Sequence, residues 1–183
     1  ERDYSKAHML TSDLNCYDER DRSNEQVIEQ FESRLEASKF RGQWSFSTPT
    51  APKRGVSLLY ELSDGKEYFI QCSHCGTRQS LSFEANVCEE REIYVCTKCK
   101  GELSDEDRRV GEWVAKYPGR EISGYALSQV MCPWVPACEL LEKKKKKGKQ
   151  YFYNFVLGRG YVGSDTKVDR EVILANCVKD IGR

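Results

Sequence analysis

Val27, Ile28, Phe31 and Leu35 recur at the spacing of one helical face, and Ser23 with Gln26 ahead of them reads as a capping box, so the pattern predicts a helix over residues 24–38. Upstream, residues 8–21 carry a short strand pattern that ends in Asp18, Glu19 and Asp21, with Thr11, Ser12, Asp13 and Asn15 making it unusually polar. Downstream, Gln43-Trp44-Ser45-Phe46-Ser47 alternates like a strand and stops at Thr48-Pro49-Thr50-Ala51-Pro52, where two prolines remove ladder donors. Strand with acidic tip, amphipathic helix and strand with hydroxyl tip make half of an α/β repeat. In such sheets ligands bind beyond the carboxyl ends of the strands, which would bring Asp18, Glu19, Ser47 and Thr48 to one edge.

Further along, β-like runs at 67–71 and 91–95 each lead into a pair of cysteines. Ser104 to Asp107 reads as a helix start, and Gly111 keeps that helix short; residues 120–130 alternate enough to predict a strand that rejoins the main sheet. A helix from about 137 carries Leu140 and Leu141 and then dissolves into Lys143, Lys144, Lys145, Lys146, Lys147 and Lys149. Consecutive like charges most often mark a solvated face or linker, and contact with phosphate is the functional alternative. The aromatics of Tyr151-Phe152-Tyr153-Asn154-Phe155 have the spacing of a helix and read as core before they read as a stacking platform. A last helix is expected over 169–177.

The strongest chemical signal is Cys72-Ser73-His74-Cys75, twenty residues, then Cys96-Thr97-Lys98-Cys99. Two thiols three positions apart on a tight turn can face one ion, and a second such knuckle after a hairpin-sized insert completes a tetrahedral set, for which zinc is the natural ion. Gly76 and Gly101 follow the two knuckles, as in a zinc ribbon. His74 and Cys88 lie near enough to be minor alternative ligands. Four thiolates leave no open coordination position, so the ion is expected to hold the fold and not to activate water, which disfavours a zinc hydrolase. Disulfides are the competing use of the thiols, but the chain shows no secretory segment and its nine cysteines are an odd number.

Length and composition add bounds. A chain of 183 residues can bury one core with a small appended module. Basic and acidic residues balance at 29 each, so net charge makes no case for or against nucleic acid. No apolar run approaches bilayer length, and free thiols with a zinc site point to a reducing compartment. The chain opens at Glu1 without a start signal and reads as part of something longer.

Asp18-Glu19 alone would be weak evidence, since acidic dipeptides are common on surface loops, and no Gly-Lys-Ser or Gly-Lys-Thr phosphate loop occurs in the chain. Taken in order, however, Tyr17-Asp18-Glu19-Arg20-Asp21, Phe46-Ser47-Thr48-Pro49-Thr50 with Gly55, the two cysteine knuckles, Gly111-Glu112-Trp113, Pro133-Trp134 and Asn154-Phe155-Val156-Leu157-Gly158 resemble the large terminase subunit of tailed bacteriophages, in its lambda-type subclass. The resemblance spans roughly residues 14–161. It implies an α/β fold, a partial P-loop NTPase-type sheet with an inserted zinc ribbon, divided as 1–62 rear part of the ATPase core, 63–103 ribbon, 104–136 return to the core and 137–183 helical linker towards a nuclease domain. It implies that Asp18 is the acid associated with Mg²⁺, that Glu19 is the base for the attacking water of ATP hydrolysis, and that Ser47 and Thr48 form a coupling motif sensing the γ-phosphate. The implied partners are double-stranded DNA, a small terminase subunit and the portal, in a ring in the host cytoplasm and transiently at the procapsid. Without a phosphate loop or an acidic nuclease cluster, this stretch alone is expected to be inactive. The rival expectation is a zinc-ribbon adaptor for nucleic acid or protein, in which Asp18-Glu19 is surface.

Overall fold

A computed structural model describes residues 11–163, a mixed arrangement of helices and small sheets. The first unit is the expected half repeat. Strand β1 (Leu14–Tyr17) pairs in parallel with β2 (Gly42–Ser45), Leu14 opposite Gly42 and Tyr17 opposite Ser45, and helix α1 (Glu25–Glu32) lies between them in sequence. The helix is shorter than its apolar face suggested: a 3₁₀ turn, Ser33–Leu35, closes it. Its cap also differs. Asn24, and not Ser23, occupies the N-cap, with its side-chain oxygen accepting from the Gln26 N–H at 2.9 Å, while the Ser23 hydroxyl turns back to the Glu19 carbonyl. Asn24 directly precedes the first helical residue, which puts its side-chain oxygen on the second helical N–H, and Asn ranks with Asp and Ser among the favoured N-caps. The polar strand is also accounted for: Asn15 is buried and donates to the Phe31 carbonyl at 2.8 Å, tying β1 to the end of α1.

After the hydroxyl tip, α2 (Gly55–Leu62) replaces an unassigned segment, and β3 (Lys66–Gln71) begins the cysteine-bearing unit. β3 is the centre of a sheet ordered β4-β3-β7, with β4 (Arg78–Ser80) and β7 (Gly111–Ala115) antiparallel to it. One-turn helix α3 (Phe83–Asn86) leads into the pair β5 (Val87–Cys88) and β6 (Ile93–Tyr94), and α4 (Asp105–Arg109) carries the expected short helix, closed by a Ser104/Asp107 capping box. The strand expected over 120–130 does not form, and these residues do not rejoin the β1–β2 sheet. β7 covers one edge of β3 from Lys66 to Ile70 and β4 takes the far end of the other, leaving only the start of β3 for a single bridge, Lys66 to Tyr125. Gly111 permits the β7 contact, because a Cβ there would stand 2.5 Å from the Phe69 carbonyl.

Helix α5 (Ala137–Lys146) does not dissolve at the lysines but includes four of them. Lys143 pairs with Glu139 and Lys146 with Glu142, each one turn back, and cations complement the carboxyl end of the helix dipole. A short helix, α6 (Lys149–Tyr151), runs directly into a π-helical turn, Phe152–Val156. The core gathers Ile70, Cys72, Leu81, Phe83, Tyr94, Cys96 and Leu103 of the cysteine unit against Leu140, Leu141, Phe152, Val156 and Leu157. The 151–155 aromatics divide accordingly: Phe152 is core, whereas Tyr151 and Phe155 are stacked at the surface. The helix expected at 169–177 lies outside the described residues.

Candidate metal centre and acidic strand tip

Cys72, Cys75, Cys96 and Cys99 place their sulfurs within 4.8 Å of one another. Cys72 and Cys99 stand 3.8 Å apart, and Cys75 and Cys96 3.7 Å. Four bonds of about 2.3 Å in a tetrahedron require sulfurs about 3.75 Å apart, so the set fits zinc, and all four thiols are free. The knuckles repeat each other: Cys72 N–H bonds the Thr77 carbonyl and Gly76 N–H returns to Cys72, as Cys96 N–H bonds Gly101 and Lys100 N–H returns to Cys96. The left-handed residue is Gly76 in the first knuckle and Lys100, not Gly101, in the second. Gly101 is needed for space, since a Cβ there would press on the His74 ring and the Cys99 sulfur at 3.2–3.3 Å. His74 and Cys88 stand outside the cluster, Cys88 facing Glu90.

The environment favours thiolate at two of the sulfurs. Burial pushes the Cys96 thiol up, but the N–H groups of Cys99 and Lys98 and the Gln79 amide outweigh it and hold it at about 6. The Thr77 hydroxyl and N–H keep Cys75 below its ordinary value, while burial raises Cys72. Gln79 is 6% exposed and works from behind: its Nε2 donates to Cys96 at 3.3 Å, and its Oε1 accepts from Thr97 N–H and from Asn86, whose Nδ2 also holds the Val95 carbonyl. Neither Gln79 nor Asn86 stands in any spacing pattern, and only the folded hairpin brings them behind the knuckle. The same holds for Arg108, 1% exposed, which donates to the carbonyls of Cys132 (2.9 Å) and Pro133 (2.7 Å) and lies 3.9 Å over the Tyr94 ring.

Away from the cysteines in sequence, the tips of β1 and β2 meet. Phe46 N–H bonds the Tyr17 carbonyl at 2.8 Å, Arg20 N–H bonds Phe46 at 3.1 Å, and Asp21 N–H donates to the Ser47 hydroxyl at 3.0 Å. Asp18 is exposed and accepts from the Glu19 N–H; Glu19 sits in the left-handed region and lies 3.5 Å from Arg22. Thr48 is half-buried on the same loop. The acid that organises this edge is Asp21, which sequence reasoning noted but gave no role. Its carboxylate accepts from Thr50 N–H (3.0 Å), the Thr50 hydroxyl (3.1 Å) and Val56 N–H (2.7 Å), joining the strand tips to the start of α2. A groove of about 410 Å³ runs along β1 between Leu14, Tyr17, Asp18, Ile28 and Phe31.

Among the lysines, Lys143 is held by Glu139 and Gln129, Lys144 by Glu89, and Lys146 by Glu142. Lys147 lies 5.3 Å from the Tyr151 ring, and Lys145 and Lys149 are exposed.

The family model of the phage terminase large subunit gpA, ATPase domain, matches residues 4–114, from before β1 into β7. The chain belongs to that family. No curated protein and no solved structure matches it. The terminase match covers the acidic tip, the hydroxyl loop and all four cysteines, so both constellations fall within the gpA ATPase domain. Among the described residues of this terminase chain, no helix is long and apolar enough to cross a membrane.

Proposed function

We propose that this chain is the rear part of a P-loop-type ATPase core from the motor that drives viral DNA into procapsids, with the phosphate loop and the nuclease lying elsewhere in the parent protein. The observation that carries this reading is the hydrogen-bonded meeting of an acidic strand tip with a Ser-Thr-Pro loop across two parallel strands, Asp21 N–H to Ser47 at its centre. On this reading Asp18 would complete the shell of Mg²⁺, and Glu19 would be the base that takes a proton from water attacking the γ-phosphate of ATP. Ser47 and Thr48 would sense that phosphate from the neighbouring strand. The four thiolates would hold zinc, which supplies a crosslink and no reaction. Double-stranded DNA, a small terminase subunit and the portal are the proposed partners, met by a ring of subunits in the host cytoplasm and at the procapsid. Lys145, Lys147 and Lys149 are the side chains of the lysine run best placed to meet DNA phosphate, since Lys143, Lys144 and Lys146 are committed to intramolecular carboxylates.

One observation favours a second reading, a ribbon-bearing adaptor. Glu19 is half exposed and paired with Arg22, as an ordinary surface carboxylate would be. ATP turnover by the longer protein carrying a phosphate loop, with DNA present, separates the two. If Glu19→Gln binds ATP but abolishes turnover, Glu19 is the base. If wild type and variant turn over alike, Glu19 is not the base and the acidic pair is surface; if neither turns over, the ribbon adaptor stands.

A further inference from the structure

Two contact chains leave the acidic tip of β1 and end on the same π-helical turn, and beyond Glu19, at the head of the second, the chemistry proposed above uses no member of either. In the first, the Asp21 carboxylate accepts from Thr50 N–H and hydroxyl, and the Thr50 carbonyl accepts from Asn154 Nδ2 at 3.2 Å. In the second, Glu19 pairs with Arg22, whose guanidinium lies 5.8 Å from the centre of the Phe155 ring, itself stacked on Tyr151 at 5.0 Å. A third close approach runs beside them: a Cβ on Gly160 would stand 2.5 Å from the backbone of Ala51.

The receiving element has two features that packing alone does not explain. Asn154 is 5% exposed, and its Oδ1 is buried with no partner, a condition rare in native proteins. The turn around it is a π-helix, closed by Leu157 N–H on the Phe152 carbonyl at 3.0 Å, a geometry that recurs where function has displaced regular helix. On its other side the same turn is locked to the metal-bearing core. Phe152 meets Phe83 edge to face at 5.0 Å, Val156 and Leu157 are buried in the core, and Arg159 pairs with Glu84 at 2.7 Å.

We propose that Asn154 is a positioning residue that transmits the state of the 46–50 loop to the metal-bearing core, with Arg22 as a parallel link. The side-chain amide holds the loop by one end and leaves the other unsatisfied, so a shift of the Thr50 carbonyl lets it rotate and exchange partners, which gives the π turn two arrangements to occupy. Coupling between separated sites needs such a two-state element. This inference rests on the reading of the β1 tip as a nucleotide-handling edge, which supplies the reason for the loop to move.

The test is amide hydrogen exchange on the longer protein that carries the phosphate loop, with and without a non-hydrolysable ATP analogue. In wild type the analogue should change exchange both at 46–50 and at 152–157. In Asn154→Ala and in Arg22→Gln the change at 46–50 should remain and that at 152–157 should fall about tenfold, inside the usual range of intersite coupling. The nucleotide-induced difference is the readout, because a residue that merely stabilises the turn would alter protection equally in both states. A wild-type response at 46–50 without one at 152–157 overturns the proposal and leaves the motor reading intact. No response at either segment overturns both. An undiminished response in Asn154→Ala overturns the role of Asn154. If that variant loses protection everywhere and so does not fold, Arg22→Gln decides, since Arg22 is a half-exposed surface residue whose loss leaves the core alone, and an undiminished response in it overturns the proposal.

Discussion

Gln79 stands behind the four-cysteine cluster with its amide on the Cys96 sulfur, and Gly55 stands beneath Asp21 as the position that lets a carboxylate in. Gln79→Glu keeps an oxygen acceptor for Thr97 N–H and Asn86 and takes away the Nε2 donor to Cys96, so it should lower metal affinity about tenfold; competition with a chromophoric chelator measures this. Gly55 combines a φ of +52° with a Cβ position 2.1 Å from the Asp21 carboxylate. Gly55→Ala should therefore cost more than about 1 kcal/mol of stability, whereas Gly148→Ala, where a Cβ meets nothing within 4 Å, should cost nothing measurable by urea denaturation. Gly55 was legible in the sequence only as a member of a motif. What makes it glycine is Asp21, thirty-four places away, arriving from another strand tip.

The clasp at the start of β3 belongs to the scale of elements. Asp64 accepts from Lys66 and from Gly124 N–H at 3.0 Å, and its own N–H bonds the Ile122 carbonyl, so it fastens the strand to the returning 122–124 segment. Lys66 first, then the Gly124 N–H, hold its carboxyl below the usual carboxylate range. A folded value lower than the unfolded one means that the clasp stabilises above the unfolded value, about 3.9, and is lost as pH falls through the lower folded value. Wild type should thus exceed Asp64→Asn in urea midpoint at pH 6, and the gap should close as pH is brought below 4; a gap independent of pH would show the carboxylate charge to be idle. The helices α1 and α5 were legible at this scale from apolar spacing, while the cap of α1 and the lysine-bearing end of α5 were not. Strand 120–130 was misread because alternation says that a segment could pair, while the occupancy of β3's edges decides whether it does.

For the molecule as a whole, the cysteine unit and the C-terminal helices share one core, with Cys72 and Cys96 fully buried beside Leu140 and Val156, whereas Ile28 and Leu35 of the α1 unit stand outside it. Chelation of the metal, or Cys96→Ser, should then expose the amides of β3, β6 and α5 together and leave those of α1 protected. Loss of protection in α1 at the same rate would show a single cooperative unit, and hydrogen exchange read segment by segment distinguishes the two. The sequence by itself determined the four-cysteine cluster, the β1–α1–β2 order and the family, because knuckle spacing, helical periodicity and motif order are local along the chain or survive as intervals. Only the tertiary structure decided that Asp21 rather than Asp18 or Glu19 binds the neighbouring loop, that Gln79 and Arg108 are buried supports, and that half the lysine run is already paired. Each of these depends on which surfaces meet, and a linear pattern carries the residues' chemistry without their neighbours.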